Sequence, residues 1–261
     1  MSRVTVTHQD HVAHVTLTRA DKMNAMDPDM IAAIIDAGQQ VAASEARAVV
    51  LSGEGNAFCA GLDVMSFAAM AGQDPHRLIE PRTHGDANRW QEVALVWRRV
   101  EVPVIAAIHG VCFGAGLQLA LGADIRIAAP ETKFAIMEMK WGLVPDMGGM
   151  VLLPHLVRSD VLRQLTYTAQ PVDAAQAERW GLVTTLADDP LTAARDLAAG
   201  IAGKSPSAIR AAKRLIEVAE SGAPRADVLM AESREQAALV GKPHQMEVIA
   251  AQMQKRPAVF K

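Results

Sequence analysis

The stretch that decides the fold runs from His109 to Asp124 and reads HGVCFGAGLQLALGAD. It follows a short apolar run, Val104–Ile108, and three glycines crowd into its first eight positions. The twenty residues 104–123 contain no Asp, Glu, Lys or Arg, so by length alone they could cross a bilayer. The glycines and the preceding Pro103 instead favour a buried strand, a glycine-rich turn and a helix.

The glycine-rich turn leaves backbone amides open to another molecule at the start of the helix. The first N–H groups of a helix are unpaired and partly positive, and glycines permit close approach, so the turn suits an anion or an oxygen that becomes negative. Small residues that only let the helix pack closely on the sheet are an equal alternative. A dinucleotide-binding fingerprint is disfavoured, because Leu119 stands where Gly or Ala is required.

A second small-residue turn, Asn56–Asp63, follows the apolar strand Ala48–Leu51 in the same way. Two parallel strands that end in such turns can direct two backbone N–H groups at one point. Paired amides of this kind stabilise the negative charge that develops on a carbonyl oxygen during acyl chemistry.

A third segment, Phe134–Gly149, carries two acids eight residues apart, Glu138 and Asp146, among apolar neighbours. Carboxyl groups in apolar surroundings have raised pKa values and can transfer protons near neutral pH. The structural alternatives are that Glu138 pairs with a nearby cation and that Asp146 caps a helix beginning near Gly148. For Trp141, a core role is favoured over a place in the wall of a pocket.

Composition excludes several function classes. The chain has 261 residues, 50% of them hydrophobic, with a net charge of −3 and 4% aromatic residues, so it lacks the basic and aromatic signature of nucleic-acid binding. Two isolated cysteines, Cys59 and Cys112, indicate buried thiols rather than a disulfide framework. His8, His11 and His14 alternate faces on predicted strands, which argues against a metal site. The first residues lack an apolar signal segment, and a cytoplasmic protein is expected.

Hydrophobic periodicity and capping signals predict the remaining elements. These are a hairpin over Val4–Arg19, a helix from Asp27, a helix over 86–99, strands over 125–128 and 133–136, and helices over 148–166, 173–180, 190–203, from Ser205, and over 223–254 with breaks at Gly241 and Pro243. Residues 66–88 are irregular and are expected to form a loop that supplies substrate selectivity. A core of residues 1–200 would then precede a helical region, 201–261.

Together the three segments resemble the crotonase, or enoyl-CoA hydratase/isomerase, superfamily. The family's F-x-A-G-x-D turn is matched by Phe58–Asp63, and its G-x-x-x-G-A-G-x-x-L and F-x-x-x-E-x-x-x-G-L-x-P-x-x-G-G runs follow in order. The opening Arg19–Met26, the dipeptide Ser205-Pro206 and the terminal Arg256–Lys261 are also similar. The likeness covers nearly the whole chain.

The resemblance implies an α/β fold, a crotonase-like spiral of ββα units with a helical C-terminal region for oligomerisation and active-site cover. It also implies homo-trimers or hexamers and a coenzyme A thioester as substrate, with no separate cofactor, metal or membrane partner. The thioester oxygen would lie between the amides of Leu62 and Ala115, with Gly114 as the alternative donor. Substrate-binding positions implied in the same way are Lys22, Ala60, Gly61, Asp63, Phe260 and Lys261. Gln118 and Trp141 are further candidates for the substrate site.

One departure from the family pattern bears on the reaction. Hydratases of this family use two glutamates; Glu138 matches one, but Gln118 occupies the place of the other and cannot accept a proton from water. Gln118 could hydrogen-bond a water or hold its helix in place, and it is interpreted as a positioning group. Asp146 instead matches the catalytic aspartate of the family's dienoyl-CoA isomerases. An isomerase acting through Glu138 and Asp146 on an unsaturated fatty acyl-CoA is therefore favoured over a hydratase. The alternatives are a non-catalytic acyl-CoA-binding protein and an RNA-binding member of the same fold.

Overall fold

The computed structural model describes residues 2–65 and 72–260. Among these residues, strands form two sheets. The larger has the order β1-β2-β3-β4-β6-β9 and the smaller the order β5-β7-β8. Their bounds are β1 Val4–Gln9, β2 Val12–Leu17, β3 Ala48–Gly53, β4 Val104–Ile108, β5 Val111–Phe113, β6 Ile125–Ala128, β7 Lys133–Ala135, β8 Val172–Asp173 and β9 Thr185–Leu186.

Each sheet is parallel except for one antiparallel pair of strands at its edge. β1 and β2 form an antiparallel hairpin, and from β2 onward every pairing in the larger sheet is parallel. In the smaller sheet, β5 and β7 are parallel while β7 and β8 are antiparallel. The two-residue hairpin turn, Asp10 and His11, has positive φ at both positions, which matches the right-handed twist of the flanking strands.

Helices surround the sheets. They are α1 Pro28–Ala42, α2 Pro75–Ile79, α3 Arg89–Arg99, α4 Ala115–Leu121, α5 Gly149–Leu152, α6 Ser159–Thr168, α7 Ala174–Trp180, α8 Pro190–Ala202, α9 Pro206–Glu220, α10 Arg225–Leu239 and α11 Pro243–Gln254. Short 3-10 turns cover Ala20–Lys22, Glu138–Trp141 and Leu153–His155. Most starts follow the predicted signals: Asp27 and Ser205 cap α1 and α9, each with proline at the first helical position.

The central strands are buried on both faces, as parallel strands covered by helices must be. Alternate residues of β3 divide between two clusters: Val49 and Leu51 join the main core, whereas Ala48 and Val50 join a second cluster. That second cluster is completed by three alanines of α8, one turn apart, Ala194, Ala198 and Ala202. Their small side chains let α8 lie flat on one face of the larger sheet.

The predicted helix over 148–166 is wrong as one element. The structure has α5, the 3-10 turn Leu153–His155 and then α6, which extends to Thr168. Pro154 lies at the break, where it lacks the N–H that an α-helix needs and its ring opposes the preceding turn. The sequence reading also omitted β5, which lies within the predicted turn, as well as β8 and β9.

The three C-terminal helices contribute little to the core. No residue of α10 is buried, and Ala251 is the buried residue of α11. The predicted division into 1–200 and 201–261 stays a prediction. Helix α8, which packs on the larger sheet, crosses that boundary and ends at Ala202.

A buried lysine joins α9 to the body of the protein. Lys213 Nζ donates to the carbonyl oxygens of Trp97 and Val102 at 3.3 and 3.1 Å, and to Asp124 Oδ2 at 2.8 Å. The same Asp124 oxygen accepts from the Val104 amide at 2.7 Å. Burial lowers the pKa of Lys213, while Asp124 opposes that shift.

The first prediction concerns this contact. Lys213→Met should lower the free energy of unfolding by about 3 kcal/mol, because it leaves two buried carbonyls without their donor and removes the nearer of the two cations paired with Asp124. Urea unfolding measures the change. The exposed Lys204 provides the matched control, and Lys204→Met should stay within about 0.5 kcal/mol. Equal stabilities of the two variants would contradict a stabilising role for Lys213.

Candidate active site

The two small-residue turns lie side by side. Residues Cys59 and Cys112 form a parallel bridge, in which the Cys59 amide donates to Val111 O at 3.1 Å and the Phe113 amide to Cys59 O at 3.0 Å. The chain after β3 is thereby aligned with β5, and both segments continue toward the start of α4. Both thiols are buried and free, as predicted, and burial raises the pKa of Cys59 to about 12.

Gly61 permits this close approach. Its φ is +102°, and a Cβ at this position would lie 2.8 Å from Phe113 O. The same Cβ would be 3.7 Å from the Ala115 nitrogen, so the turn around Gly61 directly adjoins the first residue of α4. A side chain here would separate the two turns.

The amides of Leu62 and Ala115 are both available to a ligand. Leu62 bridges Met26, with Met26 N donating to Gly61 O and Asp63 N to Met26 O, each at 2.8 Å. In such a bridge the Leu62 amide points away from Met26. Ala115 is the first residue of α4, where amides have no intrahelical acceptor. Within 2–65 and 72–260, neither amide has a hydrogen-bond acceptor.

Glu138 begins the 3-10 turn that follows β7, and its carboxyl group lies beside the start of α4. A Cβ at Gly114 would be 3.7 Å from Glu138 Oε1. That oxygen accepts a hydrogen bond from Gln118 Nε2 at 2.6 Å. The other oxygen, Oε2, is buried and has no partner among the described residues. Burial is the main cause of a raised pKa for Glu138, and the nearby Asp146 carboxylate adds to it.

Asp146 lies at the same cavity, and the alternative that it caps a helix is wrong. The residue at the N-cap of α5 is Gly148, and no side chain caps that helix. Asp146 keeps an exposed surface toward the cavity, yet the surrounding protein still raises its pKa by desolvation.

A cavity of about 510 Å³ joins these groups. Ten of the predicted site residues line it, namely Lys22, Ala60, Gly61, Leu62, Asp63, Gly114, Ala115, Glu138, Trp141 and Asp146. The core role favoured for Trp141 is wrong: its surface is 52% exposed because the ring forms part of the cavity wall. These ten residues, distant in sequence, therefore lie around one cavity in the folded chain.

Gln118 does not line the cavity but lies behind Glu138. Its side chain is buried, and its Oε1 accepts from the amides of Met147 and Gly149 at 2.8 and 3.0 Å. Gln118 is consequently bound on both sides of the amide group rather than open to a ligand.

The polar end of the cavity is held by an arginine that the sequence reading missed. Arg19 Nη1 donates to Asp63 Oδ2 at 2.7 Å and to Ala25 O at 2.8 Å. The hydrogen bond from Arg19 is the largest of the effects that lower the pKa of Asp63. The buried Asn24 ties the same loop to Glu54 O and Ala57 O, both at 2.9 Å. The sequence signal that could have identified Arg19 was its position as a basic residue at the end of the predicted hairpin.

Other predicted positions lie elsewhere or outside the described residues. Phe260 is not at the cavity; Arg47 Nη2 donates to its carbonyl at 3.0 Å, and its ring packs edge-on against His244. Lys261 falls outside the described residues, as do 66–71 of the predicted selectivity loop, in which α2 is the described helix. A role for Phe260 or Lys261 at a neighbouring subunit's site stays a prediction.

Sequence reasoning missed most of the apolar lining. Besides the predicted residues, the cavity is lined by Met23, Ala25, Val64, Met65, Met137, Leu143, Val144 and Met147, together with the polar Asp21. Most of these lie next to a predicted site residue, and the apolar run 141–147 around Asp146 was the signal that could have found several.

Comparison with known proteins now decides the family. Residues 7–261 match the family model described as Enoyl-CoA hydratase/isomerase. The chain belongs to the enoyl-CoA hydratase/isomerase family. This membership of the crotonase superfamily confirms the family and the α/β fold predicted from sequence.

Some of the proteins similar to this chain are named as dienoyl-CoA isomerases and others as enoyl-CoA hydratases. A mitochondrial Delta(3,5)-Delta(2,4)-dienoyl-CoA isomerase of Mus musculus is 36% identical over 214 residues, covering 78% of this chain and 65% of that protein. A Mycobacterium tuberculosis protein named "Probable enoyl-CoA hydratase" is 37% identical over 212 residues, with 81% and 80% covered. An enoyl-CoA hydratase crystal structure from Bacillus anthracis superposes with a TM-score of 0.89 at 25% identity, covering 99% of each chain.

None of the helices in 2–65 and 72–260 has the length and hydropathy needed to span a membrane. The same residues contain no group of three or more His, Cys, Asp or Glu side chains placed to hold a metal ion.

The backbone at Gly114 generates the second prediction. Its φ of 49° and ψ of −119° are accessible essentially only to glycine. An added Cβ would have enough space, because the nearest atom, Met137 Cβ, is 3.5 Å away. Gly114→Ala should therefore lower the free energy of unfolding by about 2–3 kcal/mol through backbone strain alone.

Gly222 provides the control for this substitution. It has a φ of +75° and no atom within 4 Å of an added Cβ, so Gly222→Ala should cost about 1 kcal/mol. Urea unfolding of both variants measures the difference. If Gly114→Ala is as stable as Gly222→Ala, the strained start of α4 is not as described.

Proposed function

We propose that this protein is an acyl-CoA enzyme that stabilises an enolate and moves a double bond, as a dienoyl-CoA isomerase does. The single observation that carries the proposal is that two unpaired amides and two carboxyl groups with raised pKa values line one cavity. The thioester carbonyl oxygen would accept hydrogen bonds from the Leu62 and Ala115 amides. Removal of one such donor typically costs about 3–4 kcal/mol of transition-state stabilisation.

In the proposed reaction, Asp146 is the base and Glu138 the acid. For a 3,5-dienoyl thioester, Asp146 takes a proton from C2, and the resulting enolate extends its charge through the conjugated chain to C6. Glu138 then delivers a proton to C6 from Oε2, the oxygen that has no partner in the described residues. The product is the 2,4-dienoyl thioester, and exchange of protons with solvent restores both carboxyl groups.

Gln118 favours isomerisation over hydration. Hydration requires a base that takes a proton from water, and both polar ends of Gln118 are already bound, to Glu138 and to two backbone amides. The isomerase-named relatives at 36% identity support the same reaction. Hydration of a 2-enoyl-CoA is the second candidate, because relatives named as hydratases are equally similar.

Other parts of the proposal concern the partners. The acyl chain would lie against the apolar wall formed by Met137, Trp141 and Leu143, and coenzyme A would leave past Lys22 and Asp63. A homo-trimer or hexamer in the cytoplasm remains the proposed setting. A protein that binds acyl-CoA without turnover is disfavoured by the two carboxyl groups at the cavity, and RNA binding is disfavoured because the sequence has no basic tract.

The third prediction tests the two carboxyl groups. Glu138→Gln and Asp146→Asn should each lower kcat for isomerisation of a 3,5-dienoyl-CoA by about 100- to 10,000-fold, because each loses one proton transfer. Affinity for the thioester should change little. Appearance of the conjugated product in the near ultraviolet measures turnover, and calorimetry measures binding.

The exposed residues Glu131 and Asp29 supply matched controls for these changes. Glu131→Gln and Asp29→Asn should keep wild-type kcat. The enzyme proposal would be overturned if wild-type protein binds the thioester but turns over neither 3,5-dienoyl-CoA nor 2-enoyl-CoA. That result would favour a protein that binds acyl-CoA without turnover. Hydration of 2-enoyl-CoA alone would replace the isomerase with a hydratase.

The fourth prediction concerns pH. Asp146 must be ionised and Glu138 protonated, and burial raises the pKa of both groups. Activity should therefore fall as pH decreases through the raised pKa of Asp146, and fall again as pH increases through the raised pKa of Glu138. The plot of kcat/KM against pH should be bell-shaped, with its acidic limb above the ordinary range of an aspartate. A profile without an acidic limb would remove Asp146 as the base.

A further inference from the structure

A buried amide side chain on α4 contacts both segments that carry the acids of the candidate site. Gln118 belongs to α4, whose first residue supplies the Ala115 amide, and its side chain contacts the segments that carry the two acids. It is 2% exposed and does not touch the cavity, so substrate cannot be its partner.

The orientation of the Gln118 amide is fixed by its backbone partners. Oε1 accepts from the Met147 and Gly149 N–H groups, and only the oxygen of an amide can accept two such bonds. The NH₂ group must then face Glu138. A Cβ at Gly149 would lie 2.8 Å from this oxygen, so glycine at that position permits the contact.

At one end, the amide distinguishes the two oxygens of Glu138. Oε1 is occupied by the Gln118 donor, which leaves Oε2 to carry the transferable proton. The same hydrogen bond lowers the pKa of Glu138 and so opposes the effect of burial. The negative charge of Asp146 acts on the same carboxyl group and raises its pKa.

At the other end, Gln118 holds the backbone that carries Asp146. The amide of Met147 belongs to the peptide bond that directly follows Asp146, so its bond to Gln118 Oε1 fixes that peptide plane. A single side chain thus spans from one acid to the other.

We infer that Gln118 is a positioning residue that holds Glu138 and Asp146 in register with the amide of Ala115. The inference rests on the proposed function and deepens it, because it assigns a role to the residue that replaces the hydratase glutamate. Gln118 touches neither substrate nor reacting atoms; it acts through the two carboxyl groups.

Two substitutions separate the two ends of the amide. Gln118→Met keeps length and apolar volume but removes all three hydrogen bonds. Gln118→Glu keeps an oxygen for the Met147 and Gly149 amides but replaces the donor to Glu138 with a second carboxyl group. Leu119→Met is the control, since Leu119 is a fully buried residue of the same helix that does not line the cavity.

For Gln118→Met we expect kcat to fall on the order of 100-fold with little change in KM, because the acids lose their alignment while the thioester site remains. The alkaline limb of the pH profile should move upward, since the bond that lowered the pKa of Glu138 is gone. For Gln118→Glu we expect a larger upward movement, because a like charge now faces Glu138. Leu119→Met should change neither kcat nor the profile.

A second readout keeps the inference separate from the proposed reaction. Titration of Glu138 by carbon-13 NMR, on protein labelled at the glutamate carboxyl carbons, reports its pKa whether or not any dienoyl-CoA is turned over. An upward shift in Gln118→Met supports the inference even if the isomerase proposal fails. An unchanged Glu138 titration in the folded variant, or a loss of kcat that Leu119→Met reproduces, would overturn it and leave Gln118 a packing residue.

Discussion

The site depends on the close parallel approach of two backbone segments, 59–62 and 111–115. Their contact is made by main-chain hydrogen bonds between Cys59 and β5, so it tolerates no bulk on the facing positions. A Cβ at Gly116 would lie 2.5 Å from Cys59 O, which complements the restriction at Gly61. Because backbone atoms make the contact, the Leu62 and Ala115 amides are placed by the fold itself rather than by flexible side chains.

The acids come from a different part of the architecture. β7 pairs with β5 in the smaller sheet, and Glu138 follows shortly after β7, so the strand pairing brings its carboxyl group to the start of α4. Glu138 and the Ala115 amide thereby belong to segments that follow neighbouring strands of the smaller sheet. Burial of Glu138 beside a helix N-terminus combines desolvation, which raises its pKa, with amides suited to developing negative charge.

Much of this arrangement could be predicted from sequence because motifs fix local backbone geometry. The glycine-rich turn, the capped helices and the buried strands follow from short-range rules, and the three motifs in order identify the family. The failures involve tertiary context. β5 is three residues long and is paired with β7 on one side and with Cys59 on the other, and Trp141 is exposed because it lines a cavity. No periodicity could show that Gln118, 28 residues before Asp146, holds that residue's peptide.

In the single chain, the candidate site and the C-terminal helices both expose apolar surface to solvent. Asp146 keeps surface exposed to the cavity, and Leu143 and Val144 at its edge are large exposed hydrophobic residues. On α9 to α11, Ile216, Leu229, Met230, Met246 and Ile249 are also exposed, an amount of apolar surface that usually marks contacts with another molecule. An acyl chain against the first group would remove water from Asp146 and raise its pKa further, so substrate binding itself would complete the desolvation that the proposed proton transfer requires.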